Sequence, residues 1–443
     1  MPLTFEVTEM KIALIGPNPT NNLYHIGVSL RRSGHKVVLF NDSWYISDQP
    51  VWHHRSIELP SSHPLLSGFS GPEGLELMRQ IERDLEWENP DWVKRFYEDF
   101  TYSGRLSAKA LRIAFSLSYG YTIFRRLLNS SSKRMLKRAY QSLIKMLTEI
   151  EEYDLIIAIG SFDLYAYLIG KPYAIVAYGP ESPENVLAKK DKIGPMRGAR
   201  WILTSGALML QYLKQLGLES KFKFLPLPVD TDLYRPMDRT DLCDISSRLD
   251  SISLEGKFVF LVPSRLDFAY KGIDKVIRAF KRLVKYHDRA RLILIKWGVD
   301  AEKVERLIES LDLQGFCALY PNMLSDPKLV RLYNYADVIL DQFPKTLGEA
   351  GRMGALGDVG RKVLATGKPL ISSFDSAANS PIYDELPPVI YAYTEKEICK
   401  AMAELIENPK YVNEIGKKGR NWCLKYHGPD TANRLVEILD KMR

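Results

Sequence analysis

Arg265 and Lys271 stand six positions apart in Pro-Ser-Arg-Leu-Asp-Phe-Ala-Tyr-Lys-Gly, directly after the apolar run Phe258 to Val262. The residues beyond Gly272, up to Phe280, have the spacing of an amphipathic helix. Strand, cationic turn and helix, in that order, present positive charge at the carboxyl edge of a parallel sheet, where open α/β folds bind ligands. The anion that suits two cations held so close is a diphosphate. A single pair of this kind is equally compatible with two solvated loop charges, so the case depends on the rest of the chain. Both side chains are expected on an exposed turn, where substitution has little effect on stability.

The elements that must position these residues form two alternating series. Lys11 to Ile15, a helix through Arg32 and Lys36 to Phe40 make a βαβ unit, which implies a parallel sheet. Residues from about Ser43 to Glu152 interrupt the rhythm. It resumes with Leu155 to Ile159, Ala174 to Val176, Trp201 to Leu203 and Phe222 to Leu225. The stretch Pro226 to Pro236 holds three prolines and reads as a linker, since proline is excluded from helix interiors and central strands. A second series follows: Phe258 to Val262, Leu292 to Ile295, Ala318 to Tyr320, Val338 to Leu340, Pro369 to Ser372 and Val389 to Tyr391. The expected architecture is α/β, with two Rossmann-like domains facing across a cleft. The boundaries expected are residues 1–232 with a helical, basic insertion at about 43–152, then 233–427, then a final helix in 428–443.

Bulk properties exclude several classes. At 443 residues, with 46% hydrophobic and 26% charged residues, the chain is that of a soluble protein of more than one domain. Cys243, Cys317, Cys399 and Cys423 are far apart and form no CxxC pair, which argues against a zinc site or a disulfide framework and fits a reducing cytoplasm. The amino terminus lacks a signal-peptide layout, and no apolar stretch is long enough to span a bilayer. The run Ile156 to Tyr178, broken by Asp163, Gly170 and Lys171-Pro172, reads as strand, helix, strand.

Five ordered features of the second half resemble the retaining GT-B glycosyltransferases, the group that includes glycogen synthase and the phosphatidylinositol mannosyltransferases. They are Leu227-Pro-Val-Asp-Thr-Asp-Leu-Tyr-Arg-Pro, the Arg265…Lys271-Gly272 turn, Leu332-Tyr-Asn-Tyr-Ala-Asp337, Gly357, and Leu364-Ala-Thr-Gly-Lys-Pro-Leu-Ile371. Gly416-Lys-Lys-Gly-Arg420 fits as well, whereas the first half matches only in outline. The resemblance implies that Arg265 and Lys271 grip the diphosphate of a nucleotide sugar and stabilise the charge that develops as the sugar–phosphate bond breaks. It places Gly357 where backbone approaches the phosphates, and Tyr320 beside the base, although a plain packed aromatic is an equal reading. Gly16, Asn21 and Asp163 are the candidates on the acceptor side. Two domains joined near Pro226 to Pro236 are expected to close around the donor, with the last helix crossing back to the first domain.

The departures from the family pattern are specific. Two glutamates eight positions apart are replaced by Gly354 and Lys362, and Asp341-Gln342 stands where Pro-Ser is usual. Asp358 either takes over ribose binding or pairs with Lys362 at i, i+4. The family's sugar-contacting histidine is absent from Ile159 to Asp163. The retaining mechanism implied needs no protein nucleophile, because the leaving phosphate accepts the acceptor's proton, and no metal is expected. Three readings remain open: a transferase, a non-catalytic module of the same fold that binds a sugar nucleotide or a partner, and an enzyme that epimerises or phosphorolyses instead.

Charge distribution adds a partner. Gly104 to Met146 holds ten basic residues and no acidic one, against a net charge of +7 for the chain, so this segment carries the whole basic excess. Its cations alternate with apolar and aromatic residues, the pattern of a helix docked on anionic lipid. A solvated basic face is the competing reading, and no nucleic-acid-binding motif accompanies it. The expectation is a peripheral protein on the cytoplasmic membrane face that acts on a lipid-linked or saccharide acceptor.

Overall fold

The computed structural model describes residues 9–16, 22–41, 52–53, 56–60, 150, 152–159, 163–177, 187, 190–204, 208–225, 227–238, 249, 252–344, 356–374, 376 and 382–441. The basic segment Gly104–Met146, Asn21, Gly354 and Cys243 lie outside the described residues.

The strands of the first half are Lys11–Gly16 (β1), Lys36–Asn41 (β2), Leu155–Ile159 (β4), Tyr173–Val176 (β5), Trp201–Thr204 (β6) and Phe222–Phe224 (β7). They form a parallel sheet in the order β2-β1-β4-β5-β6-β7, while a short strand, Glu58–Pro60 (β3), pairs elsewhere. Its helices are Asn22–Arg32 (α1), Asp163–Ile169 (α2), Lys190–Gly198 (α3) and Leu208–Gln215 (α4). The second half has Phe258–Val262 (β8), Ala290–Ile295 (β9), Cys317–Tyr320 (β10), Asn322–Leu324 (β11), Val338–Asp341 (β12), Leu370–Ser372 (β13) and Ile390–Tyr391 (β14). Between them lie Ile273–Leu283 (α5), Ala301–Ser310 (α6), Asp326–Tyr335 (α7) and Asp358–Ala365 (α8). Glu395–Glu407 (α9), Pro409–His427 (α10) and Thr431–Asp440 (α11) follow.

The central strands of both sheets are buried on two faces, which is why Leu155–Ile159 and Phe258–Val262 read as unbroken apolar runs. In the second sheet Val259 and Leu261 point into one core with Tyr333, Val363 and Trp422, while Phe260 and Val262 point into the other with Ile273, Val276 and Phe280. The strand order β10-β9-β8-β12-β13-β14 reverses between β8 and β12. In a doubly wound sheet that reversal opens a crevice beyond the carboxyl ends, and the two turns beside it carry Arg265 and Asp341-Gln342.

Several family-like residues hold the scaffold together. Asn334 accepts a hydrogen bond from the Met237 amide at 2.9 Å and donates to the Arg235 carbonyl at 3.0 Å, fixing the linker on α7. Arg420 donates to the Tyr234 carbonyl at 3.0 Å and also to the Ala365 carbonyl, joining α10 to the linker and α8. The last helix crosses to the first half, where Leu435, Val436 and Leu439 enter the core of Ile12, Leu14, Leu23 and Leu30.

One strand pair was not legible in the sequence. β3, from the insertion of the first half, pairs antiparallel with β11 of the second. The Ser325 amide donates to the Ile57 carbonyl at 2.9 Å, and the Ile57 amide donates to Ser325 Oγ at 2.7 Å. Glu58 accepts from Asn322 at 2.7 Å, Lys328 at 3.0 Å and Tyr320 at 3.3 Å. Residues 56–60 therefore strap the first half to the second.

The turn that carries Lys271 depends on Gly272, whose φ is +61° at the start of α5. A Cβ there would overlap the Phe343 carbonyl, and the Phe343 amide already bonds the Lys271 carbonyl at 2.9 Å. Gly272→Ala is expected to cost at least about 2 kcal/mol, since the left-handed conformation alone costs an L-residue about 1–2 kcal/mol. Urea unfolding measures this loss.

Candidate functional site

The crevice at the strand reversal is a cavity of about 350 Å³ between the halves. Its wall is polar toward β8 and β12, with Ser264 and Arg265 after β8, Lys271 before α5, Asp341 at the end of β12 and Gln342 after it, and Asp358 and Lys362 on α8. The other end is apolar, with Ile295, Trp297, Met323, Leu324 and Leu329, and Trp52 supplied by the first half.

Backbone geometry builds the polar end. Asp267 Oδ1 accepts from the amides of Ala269 at 3.0 Å and Tyr270 at 2.9 Å, folding the loop between the two cations. Asp267 Oδ2 lies 3.3 Å from Arg265 Nη2. Gly298 (φ +117°) lets the next turn lie against Leu266, whose amide donates to the Trp297 carbonyl at 2.7 Å. Gln342 adopts φ +66°, rare for a non-glycine residue, and its carbonyl is gripped by Ser373 Oγ at 2.6 Å.

Lys271 is not the solvated loop charge that its position in the sequence suggested. Its side chain is 12% exposed and bonds Asp341 Oδ1 at 2.9 Å, with the Asp341 side chain 3% exposed. The expectation that either cation could be removed without loss of stability is corrected for Lys271: its removal would strand a buried carboxylate, a loss of about 3–5 kcal/mol. Arg265, 44% exposed at its side chain, keeps that tolerance. An ammonium has three donors, and among the described residues Lys271 uses one of them on Asp341, which leaves two for a ligand.

Lys362, in place of a family glutamate, is buried between Asp358 at 2.9 Å and Asp326 at 3.3 Å, with its ammonium 5.2 Å from the Tyr234 ring centre. The i, i+4 pairing weighed from the sequence is therefore present, extended by a second carboxylate. Arg361 Nη2 adds a contact to Asp358 at 3.3 Å and reaches Asn22 of the first half at 3.5 Å. Burial alone would lower the Lys362 pKa, but Asp326 and Asp358 outweigh it and hold it above its ordinary value.

His53 is 2% exposed, with Nδ1 2.9 Å from Asp326 and Nε2 3.1 Å from Asp230. A carboxylate only accepts, so both ring nitrogens carry hydrogen and the ring is an imidazolium. Burial pulls its pKa down, but the bonds to Asp230 and Asp326 outweigh burial and raise it above 6.5. Burial would raise the carboxyl groups of Asp326 and Asp230. Lys362 and His53 instead hold Asp326 well below the usual range, and His53 with the Leu233 amide does so for Asp230. His25, its ring 4.5 Å from that of His53, is held well below its ordinary value by burial and by the neighbouring cations.

The other residues singled out from the sequence fall as follows. Gly357 caps α8 with extended backbone, and a Cβ there would stand 2.6 Å from Gln342 Nε2. Tyr320 is packed in the second core at 4% exposure, bonds Glu58 and does not line the cavity, so the packed-aromatic reading describes it. Gly16 ends β1 at the reversal of the first sheet, where a Cβ would come within 2.5 Å of the Ile159 carbonyl. Asp163 opens α2, and neither it nor Gly16 lines the cavity. Two groups that sequence reasoning missed are the hydroxyls of Ser264 and Tyr333. Both are buried on the cavity wall, and neither has a hydrogen-bond partner among the described residues.

Residues 247–422 match the family described as Glycosyl transferases group 1. Over these residues the chain is similar to the group 1 glycosyltransferases. Solved structures extend the likeness to the whole chain. Anabaena HepE, solved in complex with UDP, matches at TM-score 0.63 and 14% identity, covering 98% of this chain and 100% of its own. A glycosyltransferase from Rickettsia africae matches at 0.62 and 12%, covering 99% of each chain. Sucrose-phosphate synthase from Thermosynechococcus elongatus matches at 0.58 and 12%, covering 98% and 99%. At such identities the likeness shows the fold, which is GT-B. No curated protein matches the sequence significantly. Among the described residues, no helix is long and apolar enough to cross a membrane.

The His53 cluster gives a pH signature. A group whose pKa is raised by folding stabilises fully below its unfolded value of 6.5, and loses that contribution as pH rises through the folded value. His53→Gln is therefore expected to cost about 3–5 kcal/mol in mild acid, the loss shrinking at alkaline pH. Denaturant unfolding of both proteins from pH 5 to pH 9, about two units either side of neutral, provides the comparison.

Proposed function

We propose that this protein is a glycosyltransferase that moves a hexosyl group from a nucleoside diphosphate sugar to a lipid-linked or saccharide acceptor at a membrane surface, with retention at the anomeric carbon. The observation that carries this reading is the cavity at the strand reversal, where Arg265, Lys271 and two unpartnered hydroxyls converge. Anabaena HepE has been seen with UDP and with UDP-glucose, which supports a nucleoside diphosphate sugar as donor.

The diphosphate lies against Arg265 and the two free donors of Lys271. As the bond from the anomeric carbon to the phosphate oxygen breaks, its electron pair passes to that oxygen and the two cations stabilise the charge. The acceptor hydroxyl attacks from the same face and gives its proton to the departing phosphate. Each carboxylate on the cavity wall, Asp326, Asp341 and Asp358, is tied to a lysine, which suits a mechanism without a protein nucleophile. Asp358, held by Lys362 and Arg361, is the carboxylate best placed on α8 to accept hydrogen bonds from ribose, and with Arg and Lys on the diphosphate no metal is called for. The non-catalytic alternative draws on Lys362 standing where the family has a glutamate, and release of nucleoside diphosphate from a panel of nucleotide sugars, with membranes present, separates it from turnover.

Arg265→Ala is expected to weaken nucleoside diphosphate binding by about 1.5–3 kcal/mol at nearly unchanged stability. Asp341→Asn, which frees the charge of Lys271, is expected to strengthen it. Calorimetric titration reads both, and an unchanged affinity in Arg265→Ala would remove the donor site from this cavity.

The membrane component of the proposal comes from the composition of Gly104–Met146. Each cation near an anionic surface contributes about 1 kcal/mol. Replacing Arg125, Arg126, Lys133, Arg134, Lys137 and Arg138 by Gln is expected to release the protein from anionic vesicles while nucleotide binding survives. Co-sedimentation at low and high salt checks this, and equal binding to neutral vesicles would refute it.

A further inference from the structure

The cavity has two chemically distinct ends, and so does a nucleoside diphosphate. If the cations of the polar end take the diphosphate, as proposed above, the flat apolar base is directed to the other end. That end is not the property of the second half alone. Trp52, 4% exposed, forms part of its wall and packs in one cluster with Ile57, Leu59 and Met323. We propose that the donor site is composite, with Trp52 of the first half supplying a face against which the nucleoside's base lies. This inference rests on the nucleoside diphosphate reading.

The position of Trp52 is fixed by the residues that follow it in the chain. Next to it, His53 is held between Asp326 of α7 and Asp230 of the linker. A few residues on, β3 pairs with β11, Ile57 and Ser325 exchange two hydrogen bonds, and Glu58 gathers Asn322, Lys328 and Tyr320. All of these partners belong to the second half or the linker. Trp52 itself is buried with Ala13, Ile15 and Val38 of the first half, so that core and the strap together hold it at the junction of the two halves. Tyr320, which the sequence resemblance placed beside the base, serves instead as an anchor of this strap.

The test compares a nucleoside diphosphate with inorganic diphosphate, which occupies only the polar end. UDP, ADP and GDP are titrated into the wild-type protein, and the one that binds is carried forward with inorganic diphosphate. Trp52→Leu, which keeps an apolar filling, is expected to weaken the nucleoside diphosphate at least about tenfold and inorganic diphosphate less than about twofold, on the scale of base–aromatic stacking. Trp52→Phe is expected to stay within about threefold of wild type for both, since the ring is kept. Glu58→Ala, which loosens the strap without touching the cavity, is expected to speed nucleoside diphosphate dissociation in stopped-flow measurements. Equal nucleoside diphosphate affinity in wild type and Trp52→Leu overturns the proposal, as does a parallel loss for both ligands, which marks a general disturbance of the site. A wild-type protein that binds none of the three nucleotides overturns the donor reading itself, and the composite site with it.

Discussion

An ammonium group leaves water only if other groups replace the hydration it gives up, and in this protein that requirement falls on Lys362. Its side chain is buried, and Asp326 and Asp358 answer its charge. Two carboxylates around one lysine would leave an excess of negative charge, and His53 answers Asp326 in turn, with Asp230 on its far nitrogen. The chain of ion pairs runs from α8 through α7 to the insertion of the first half and ends in the linker. No member can be deleted without leaving a buried charge exposed to a low-dielectric surrounding, where attraction and penalty both grow. The relative placement of the halves is thus written in electrostatics as well as in apolar contact.

The same logic shapes the cavity. Arg265, Lys271 and Lys362 face Asp326, Asp341 and Asp358, three cations against three carboxylates on one wall. A cavity with unanswered cations would attract any phosphate. One whose lysines are already paired binds an anion only where donors remain over after the pairing, and so rewards geometry above charge. The unpartnered hydroxyls of Ser264 and Tyr333 fit that picture, because burial keeps the Tyr333 phenol far above its ordinary pKa and the group stays a neutral donor.

What the sequence disclosed and what it hid divide along a physical line. Strands buried on both faces are largely apolar, so Phe258–Val262, Leu155–Ile159 and the stretch Leu292 to Ile295 of Ala290–Ile295 were legible from local pattern alone. Arg265 and Lys271 were legible because strand, turn and helix are contiguous in the chain. Asn334 and Arg420 stood in recognisable motifs, yet their work is to hold the linker. The pairing of β3 with β11 joins two three-residue strands from distant parts of the chain, one of them ending in Pro60, and no local periodicity announces it. His53, Asp326 and Asp341 gain their meaning only from neighbours remote in sequence. Tyr320 is the converse case: its strand was placed correctly, while the direction of its hydroxyl depends on Glu58 and could not be read.

The passage of α11 back to the first half has a consequence for the order in which the molecule is made. Leu435, Val436 and Leu439 complete a core whose other members, Ile12, Leu14, Leu23 and Leu30, emerge from the ribosome several hundred residues earlier. At a synthesis rate of about 5–20 residues per second, the first half waits for tens of seconds with that apolar face uncovered. The strap waits as well, since β11 and α7 are translated long after β3. The first half is therefore a dependent partner during biogenesis, with an apolar face that stays open until α11 arrives.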